Sequence, residues 1–221
     1  MTELGAMLAT GLADTVYMTG LAAAIGMALG LPLGVVLTVT SPGHVLESPR
    51  VNSVLGAAVN MARSFPSLIL IIVLLPLSRL IVGTTLGPTA ALVPLSAEMA
   101  PFIARIVEGA LKGVDRGKVE AALSVGAGPA AVVLKVLIPE ALPSLVRATT
   151  LIVISTLGLT AIAGCIGAGG LGSLAIRYGY QRFRTDVMLA TVATLIVLVS
   201  IIQLAGNQLA RTLSKRRHVY E

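Results

Sequence analysis

The fold class is decided by the segment VMLATVATLIVLVSIIQLAGNQL, residues 187–209. Its 23 residues include no Asp, Glu, Lys or Arg, and an α-helix needs only about 20 apolar residues to cross a bilayer. The whole chain has the same character, because 56% of its 221 residues are hydrophobic and only 12% are charged. A soluble domain carries roughly twice that charge. We therefore predict an all-α integral membrane protein.

Four more apolar segments precede this one, which gives about five transmembrane helices. The apolar run Phe65–Leu77 is too short to span alone, so its helix must begin near Asn52, with a kink or break at Pro66. Pro94 and Pro101 are expected to interrupt the third span. The predicted transmembrane domain is 12–209, with spans at about 12–39, 52–78, 89–110, 146–166 and 187–209.

The positions of the basic residues predict the orientation. Five spans place the two ends on opposite sides, and with the C-terminus inside, 12 of the 16 Lys and Arg residues are cytoplasmic. The four outside are Arg79, Arg177, Arg182 and Arg184. This asymmetry follows the positive-inside rule. The N-terminus (1–11) is then extracytoplasmic, the loop 111–145 and the basic tail 210–221 are cytoplasmic, and the net charge of +6 reflects topology and not nucleic-acid binding.

The loop 111–145 carries the longest charged stretch outside the tail and contains two short amphipathic segments. Asp115 is a candidate N-cap of the first segment and Gly126 its C-cap. The second segment is predicted to begin at Pro129 and to be stopped by Pro139. Neither segment is long enough to span a membrane.

A motif lies inside this loop. Glu120-Ala121-Ala122 is followed by three residues and Gly126, then by nine residues and Val136-Leu137-Ile138-Pro139. This resembles the EAA loop of ABC importer permeases, with Val136 and Ile138 in place of Ile and Leu. The competing interpretation is an amphipathic helix on the membrane surface. The resemblance assigns coupling to an ATPase to Glu120, Ala121, Ala122, Gly126, Val136, Ile138 and Pro139.

Further segments resemble the membrane subunit of the D/L-methionine ABC importer, over about residues 10–210. They include Ser64-Phe65-Pro66, Ala100-Pro101-Phe102-Ile103-Ala104-Arg105 and Gly167-Ala168-Gly169-Gly170-Leu171-Gly172. The resemblance implies the type I ABC importer permease fold in a bacterial inner membrane. It also implies a homodimer, two cytoplasmic ATPase subunits that bind ATP and Mg, and an extracytoplasmic binding protein. This chain would itself hold no cofactor and catalyse no reaction, and it contains no G-x-x-x-x-G-K-[ST] motif.

Several residues within the spans have two interpretations. Glu98 either lines a cavity or contacts substrate, or it is a buried group satisfied near a kink. Thr156 and Thr160 either line the translocation path or bond across packed helices. The spacing of Gly26, Gly30 and Gly34 predicts a close helix contact, and the glycine-rich segment 167–172 is interpreted as a structural turn.

The sequence is also compatible with other transport functions. An ABC permease for another amino acid or a small organic anion fits the same loop. A secondary transporter belongs to a different class, in which inverted repeats are common and the EAA-like loop would have no role. Co-purification with an ATPase would separate these classes.

Overall fold

The computed structural model describes residues 3–217, and this range consists of helices and short connections, without a strand. The helices are α1 (Glu3–Val39), α2 (Pro49–Arg63), α3 (Ser67–Val82), α4 (Pro88–Lys112), α5 (Arg116–Ser124), α6 (Pro129–Val132), α7 (Ile138–Cys165), α8 (Gly170–Leu174) and α9 (Thr185–Arg217). Two wide π-helical segments follow α6 and α8, namely π1 (Val133–Leu137) and π2 (Ala175–Tyr180). Of the predicted terminal segments, residues 1, 2 and 218–221 lie outside the described range.

Four helical segments of the described chain are long and apolar enough to cross a membrane. They are Glu3–Val39, Pro88–Lys112, Pro129–Tyr180 and Thr185–Thr212. The bent pair α2 and α3 adds a fifth if it forms one span. The predicted all-α membrane fold with about five spans is therefore confirmed.

The break between α2 and α3 lies at the predicted proline. Ser64 ends α2, its N–H bonding to the carbonyl of Met61, and Pro66 has the extended backbone of an N-cap (φ −61°, ψ 130°). Proline has no N–H and disfavours a helical residue before it. The chain therefore leaves the helix at Ser64 and resumes it at Ser67.

Prolines elsewhere are accommodated without a break. The prediction that Pro94 and Pro101 interrupt the third span is wrong, because α4 is continuous from Pro88 to Lys112. The prediction that Pro139 stops the second loop segment is also wrong. Ile138 donates its N–H to the carbonyl of Val133, five residues back, so the wide π turn runs directly into α7 and Pro139 is accommodated inside a continuous helix.

The described chain forms two compact units, to which α1, α4, α7 and α9 each contribute residues. Unit 1 comprises 3–26, Phe65–Met99 and Leu151–Ala205, and unit 2 comprises Met27–Ser64, Ala100–Thr150 and 206–217. The core of unit 1 is an apolar cluster of Met18, Ala22, Ile71, Ala91, Leu95, Ala163 and Ala168. A smaller cluster in unit 2 is formed by Leu37, Val59 and Ala104, packed by Leu33 and Leu55.

Two glycines of α1 allow α4 to approach closely within unit 2. A Cβ added at Gly30 would lie 2.6 Å from the carbonyl oxygen of Ala100, and one added at Gly34 would lie 2.7 Å from that of Ala104. The prediction of a close helix contact is confirmed at these two positions. Small residues at such a crossing bring the two backbones together.

Candidate functional site

The helix α5 carries the first half of the predicted coupling motif, and it begins at the predicted cap. Oδ1 of Asp115 accepts a hydrogen bond of 2.7 Å from the N–H of Gly117. This bond satisfies one of the free N–H groups of the first turn. The start of the helix is thus fixed immediately before the motif.

The end of α5 is a Schellman turn at Gly126. Gly126 has φ +82° and donates its N–H to the carbonyl of Leu123 at 2.9 Å, while Ala127 donates to the carbonyl of Ala122 at 3.1 Å. These two bonds define the motif, and its left-handed residue strongly favours glycine. The predicted C-cap role of Gly126 is confirmed.

The predicted motif residues divide into two groups by exposure. Glu120, Ala121 and Gly126 are exposed, whereas Ala122, Val136, Ile138 and Pro139 are half-buried. Apolar side chains accompany the exposed group, with Leu123 41%, Val125 84% and Leu134 65% exposed. The first half of the motif therefore presents exposed apolar side chains, and the second half lies in π1 and the first turn of α7.

Buried contacts hold this second half in place. Val132 and Leu137 are fully buried on either side of Lys135, and Nζ of Lys118 lies 2.8 Å from Oε2 of Glu140. This ion pair joins the first turn of α5 to the first turn of α7. The two halves of the motif are therefore tied together.

Unit 2 contains a buried ion-pair cluster that the sequence analysis did not predict. Glu108 is 6% exposed and accepts hydrogen bonds from Nη1 of Arg105 at 2.6 Å and from Nζ of Lys112 at 2.8 Å. Arg105 also donates to the carbonyl of Gly56 at 2.8 Å and to the side chain of Asn60 at 3.2 Å. The signal was present as i,i+3 and i,i+4 spacing of opposite charges. The cluster fixes α2 against the part of α4 that leads into the loop.

Glu98, a candidate for the translocation path, has only one of its oxygens satisfied. Oγ of Ser67 donates to Oε1 at 2.5 Å, and Oε2 is buried without a hydrogen-bond partner among the described residues. Half-buried carboxylates of this kind in a span usually face protein or water. Oε2 is therefore an unsatisfied hydrogen-bond acceptor enclosed by the protein.

Thr156 and Thr160, the other path candidates, are satisfied within their own helix. Thr156 donates to the carbonyl of Ile152 at 2.8 Å, and Thr160 donates to that of Leu157 at 2.7 Å. Both side chains are almost fully buried. These bonds lie within α7, so they show neither the predicted bonding across packed helices nor a hydroxyl turned towards a path.

The glycine-rich segment is a crowded turn followed by a short helix. Gly167, Gly169 and Gly170 have positive φ, and α8 begins at Gly170. A Cβ at Gly172 would lie 2.5 Å from the carbonyl oxygen of Ala161. The interpretation as a structural turn is confirmed, since the glycines serve backbone conformation and close packing.

Comparison with known proteins adds a family and named relatives. Residues 26–219 match the family model described as binding-protein-dependent transport system inner membrane component. The chain is 47% identical over 210 residues to the probable D-methionine transport system permease protein MetI of Vibrio cholerae, covering 95% of this chain and 93% of that one. It is 47% identical over 180 residues to the methionine import system permease protein MetP of Bacillus subtilis, covering 81% of each.

A solved structure is similar over nearly the whole chain. It is a chain from the inward-facing MetNI methionine ABC transporter, with a TM-score of 0.94 and 42% sequence identity. The match covers 96% of this chain and 99% of the other.

Proposed function

The chain belongs to the family of binding-protein-dependent transport system inner membrane components, and from that membership we propose that it is the membrane subunit of an ATP-driven methionine importer. The subunit is not itself an enzyme and works with a separate ATPase. The relatives named as D-methionine and methionine permeases support methionine, in the D form, the L form or both, as the substrate.

The exposed apolar surface of α5 is the observation that carries this proposal. Ala121 and Leu123 are exposed on a helix too short to span a bilayer, so this side of α5 is open to a partner protein. We assign ATPase contact to Glu120, Ala121, Ala122 and Gly126. Val136, Ile138 and Pro139 connect that contact to α7.

The path of coupling follows from chain continuity. ATP and Mg bind to the ATPase subunits, whose closure and opening move the docked α5. The ion pair between Lys118 and Glu140 and the unbroken run from α6 through π1 into α7 carry that movement into a membrane span. Rigid connections of this kind convert local motion into alternating access.

The orientation belongs to the same proposal, with the N-terminus outside and the C-terminus in the cytoplasm of a bacterial cell. It is tested with single cysteines in a Cys165→Ser background. Arg182→Cys should react with an impermeant thiol reagent added outside, and Arg116→Cys should react only after permeabilisation. The reverse pattern would contradict the orientation and the coupling role of α5.

The partners in the membrane follow from the exposed surface of the spans. Only 11% of the most apolar window of Thr185–Thr212 is buried within the chain, so lipid or another subunit must cover the rest. We propose a homodimer surrounded by lipid, two cytoplasmic ATPase subunits and an extracytoplasmic binding protein that delivers the amino acid.

We also propose Glu98 as a contact in the translocation path, because one of its carboxylate oxygens is buried without a hydrogen-bond partner and ionisable groups inside a span commonly mark a substrate path. Thr156 and Thr160 remain weaker candidates, since each hydroxyl already bonds to its own helix. Glu98→Gln should therefore alter uptake more than Thr156→Val.

The decisive experiment is uptake of labelled methionine by proteoliposomes that contain this chain, its ATPase and its binding protein. ATP-dependent uptake is expected for the wild type. Ala121→Phe, which adds bulk on the exposed surface of α5, should abolish uptake and weaken co-purification of the ATPase. Ala130→Phe, at an exposed spacer position of α6 to which no coupling role is assigned, is the control. Full uptake by Ala121→Phe would contradict the coupling assignment.

A further inference from the structure

A cavity of about 410 Å³ lies within unit 1, between the first half of α1 and the segment after the glycine-rich turn. Its lining includes Met7, Asp14, Ser173, Leu174, Arg177 and Tyr178. The volume falls within the range of roughly 300–1,000 Å³ that small-molecule sites occupy. Neither the coupling loop nor Glu98 belongs to this cavity.

Two opposite charges line the cavity without neutralising each other. Among residues 3–217, neither Asp14 nor Arg177 takes part in an ion pair. The nearby arginines are engaged elsewhere, because Arg184 lies 2.7 Å from Asp186 and the guanidinium of Arg182 stacks 4.6 Å above the ring of Tyr178. Asp14 and Arg177 are therefore available to a ligand that carries both charges.

The wall that carries Asp14 is fixed against the glycine-rich turn. Oγ1 of Thr15 accepts a hydrogen bond of 2.9 Å from the N–H of Leu171. A Cβ added at Gly169 would lie 3.2 Å from Oδ2 of Asp14, and one added at Gly11 would lie 2.6 Å from Cδ1 of Leu174. Such close approach holds the cavity in shape before a ligand binds, which reduces the entropy that binding costs.

We propose that this cavity binds a free α-amino acid as its zwitterion. Asp14 takes the ammonium group, Arg177 takes the carboxylate through paired hydrogen bonds, and an apolar side chain packs against Met7 and Leu174. The inference rests on the proposed function, because its ligand belongs to the proposed substrate class. With the proposed orientation the site is extracytoplasmic, where it retains amino acid at the membrane surface.

The test uses the complex of this chain with its ATPase in lipid nanodiscs, with Cys165→Ser and Thr10→Cys as a reporter on the cavity wall. L-methionine and D-methionine should slow maleimide labelling of the reporter in a saturable manner. Methionine methyl ester and N-acetylmethionine should need at least about tenfold higher concentrations, because each lacks one charge-assisted hydrogen-bonding group.

Variants locate the effect. Asp14→Asn and Arg177→Gln should each raise the protecting concentration about tenfold or more, and Arg177→Lys should retain part of the protection. Arg79→Gln is the matched control, since it removes the same charge on the proposed extracytoplasmic side from a residue that does not line the cavity. Equal thermal stability of the four variants shows that loss of protection is not loss of fold.

Three results would overturn the site. If the methyl ester and N-acetylmethionine protected as well as methionine does, the cavity would bind only the apolar side chain and would not recognise the two charges. Protection by the binding protein and not by free amino acid would make the cavity a protein-docking surface. Normal ATP-dependent methionine uptake without any protection would exclude this site while leaving the proposed function intact, whereas absence of uptake in the wild-type complex would exclude the proposed function itself.

Discussion

Two glycines in this chain, one in a turn and one in a short helix, differ in what surrounds them. At Gly126 the backbone is left-handed, and a Cβ would meet no heavy atom within 4 Å. At Gly172, which does not have a positive φ, a Cβ would lie 2.5–2.6 Å from backbone atoms of Ala161. The first glycine is required for conformation at an exposed surface, and the second is required for space. Substitution should therefore separate their effects on transport and on stability.

The largest expected effect is that of Gly172→Val. Its side chain would overlap the backbone of α7, which cannot move aside as a flexible side chain could, so we expect a loss of roughly 3 kcal/mol or more. The measurement is thermal unfolding of the purified protein in detergent. The control is Gly158→Ala in the same unit, where a Cβ meets nothing within 4 Å and helix propensity favours alanine. Equal unfolding temperatures for the two variants would show that lack of room for a side chain is not the reason for glycine at position 172.

A second crowded glycine tests whether the same argument holds in unit 2. Gly30→Leu forces α1 away from the carbonyl of Ala100, and we expect a loss of about 2 kcal/mol. Gly20→Leu on the same helix is the matched control, because no heavy atom lies within 4 Å of its added Cβ. An unchanged unfolding temperature for Gly30→Leu would place that glycine face away from α4.

The open turn should respond to substitution through conformation alone. Gly126→Ala must hold a Cβ at φ +82°, at a cost of about 1 kcal/mol, and the resulting tilt of α5 should lower uptake several-fold. Gly128 lies two residues away and has φ −72°. Gly128→Ala should therefore change neither the free energy of unfolding nor the uptake. The unfolding temperature should therefore fall slightly for Gly126→Ala and stay at the wild-type value for Gly128→Ala. Loss of uptake in both variants would mean that space at this turn, and not its conformation, matters.

The smallest effect concerns the loop 40–48, which packs near the start of α5 through Arg116 and Gly43. Burial, with added repulsion from Arg116 and Lys112, lowers the pKa of His44 below its ordinary 6.5. The unfolded chain then binds a proton at a higher pH than the folded chain does. The contribution of His44 to the free energy of unfolding should be complete above pH 6.5 and should decrease as the pH drops towards the lowered pKa.

The pH dependence of the unfolding temperature measures this effect. His44→Asn should flatten the decline below pH 6.5, and His218→Asn serves as the control. An identical decline in wild type and His44→Asn would show that other groups cause it.

Much of the fold could be predicted because its signals are local. Apolar length gave the number of spans, and the cap roles of Asp115 and Gly126 follow from bonds within a few residues. The outcome at Pro66 was also local, since a proline with an extended backbone ends the preceding helix.

The remaining features depend on hydrogen-bond register and on distant contacts. Pro94, Pro101 and Pro139 lie within continuous helices, and the i−5 bond of Ile138 that accommodates the last one has no sequence signature. The spacing of Arg105, Glu108 and Lys112 suggested pairing, but burial of Glu108 and the bonds of Arg105 to Gly56 and Asn60 require the packed unit. Likewise, the intrahelical bonds of Thr156 and Thr160 depend on side-chain rotamers.

The π-helical segment Val133–Leu137 has a consequence for changes in chain length. A π turn holds one residue more than an α turn, so deleting a single residue there restores the ordinary pitch without opening the helix. Each residue of an α-helix corresponds to a rotation of about 100° around its axis. A deletion in the regular part of α7 has no spare residue to absorb it and would turn everything before it, including α5, by that angle. The π segment can therefore lose one residue while α5 keeps its direction, whereas the same deletion a turn or two later would redirect α5 and leave every side chain of the motif in place.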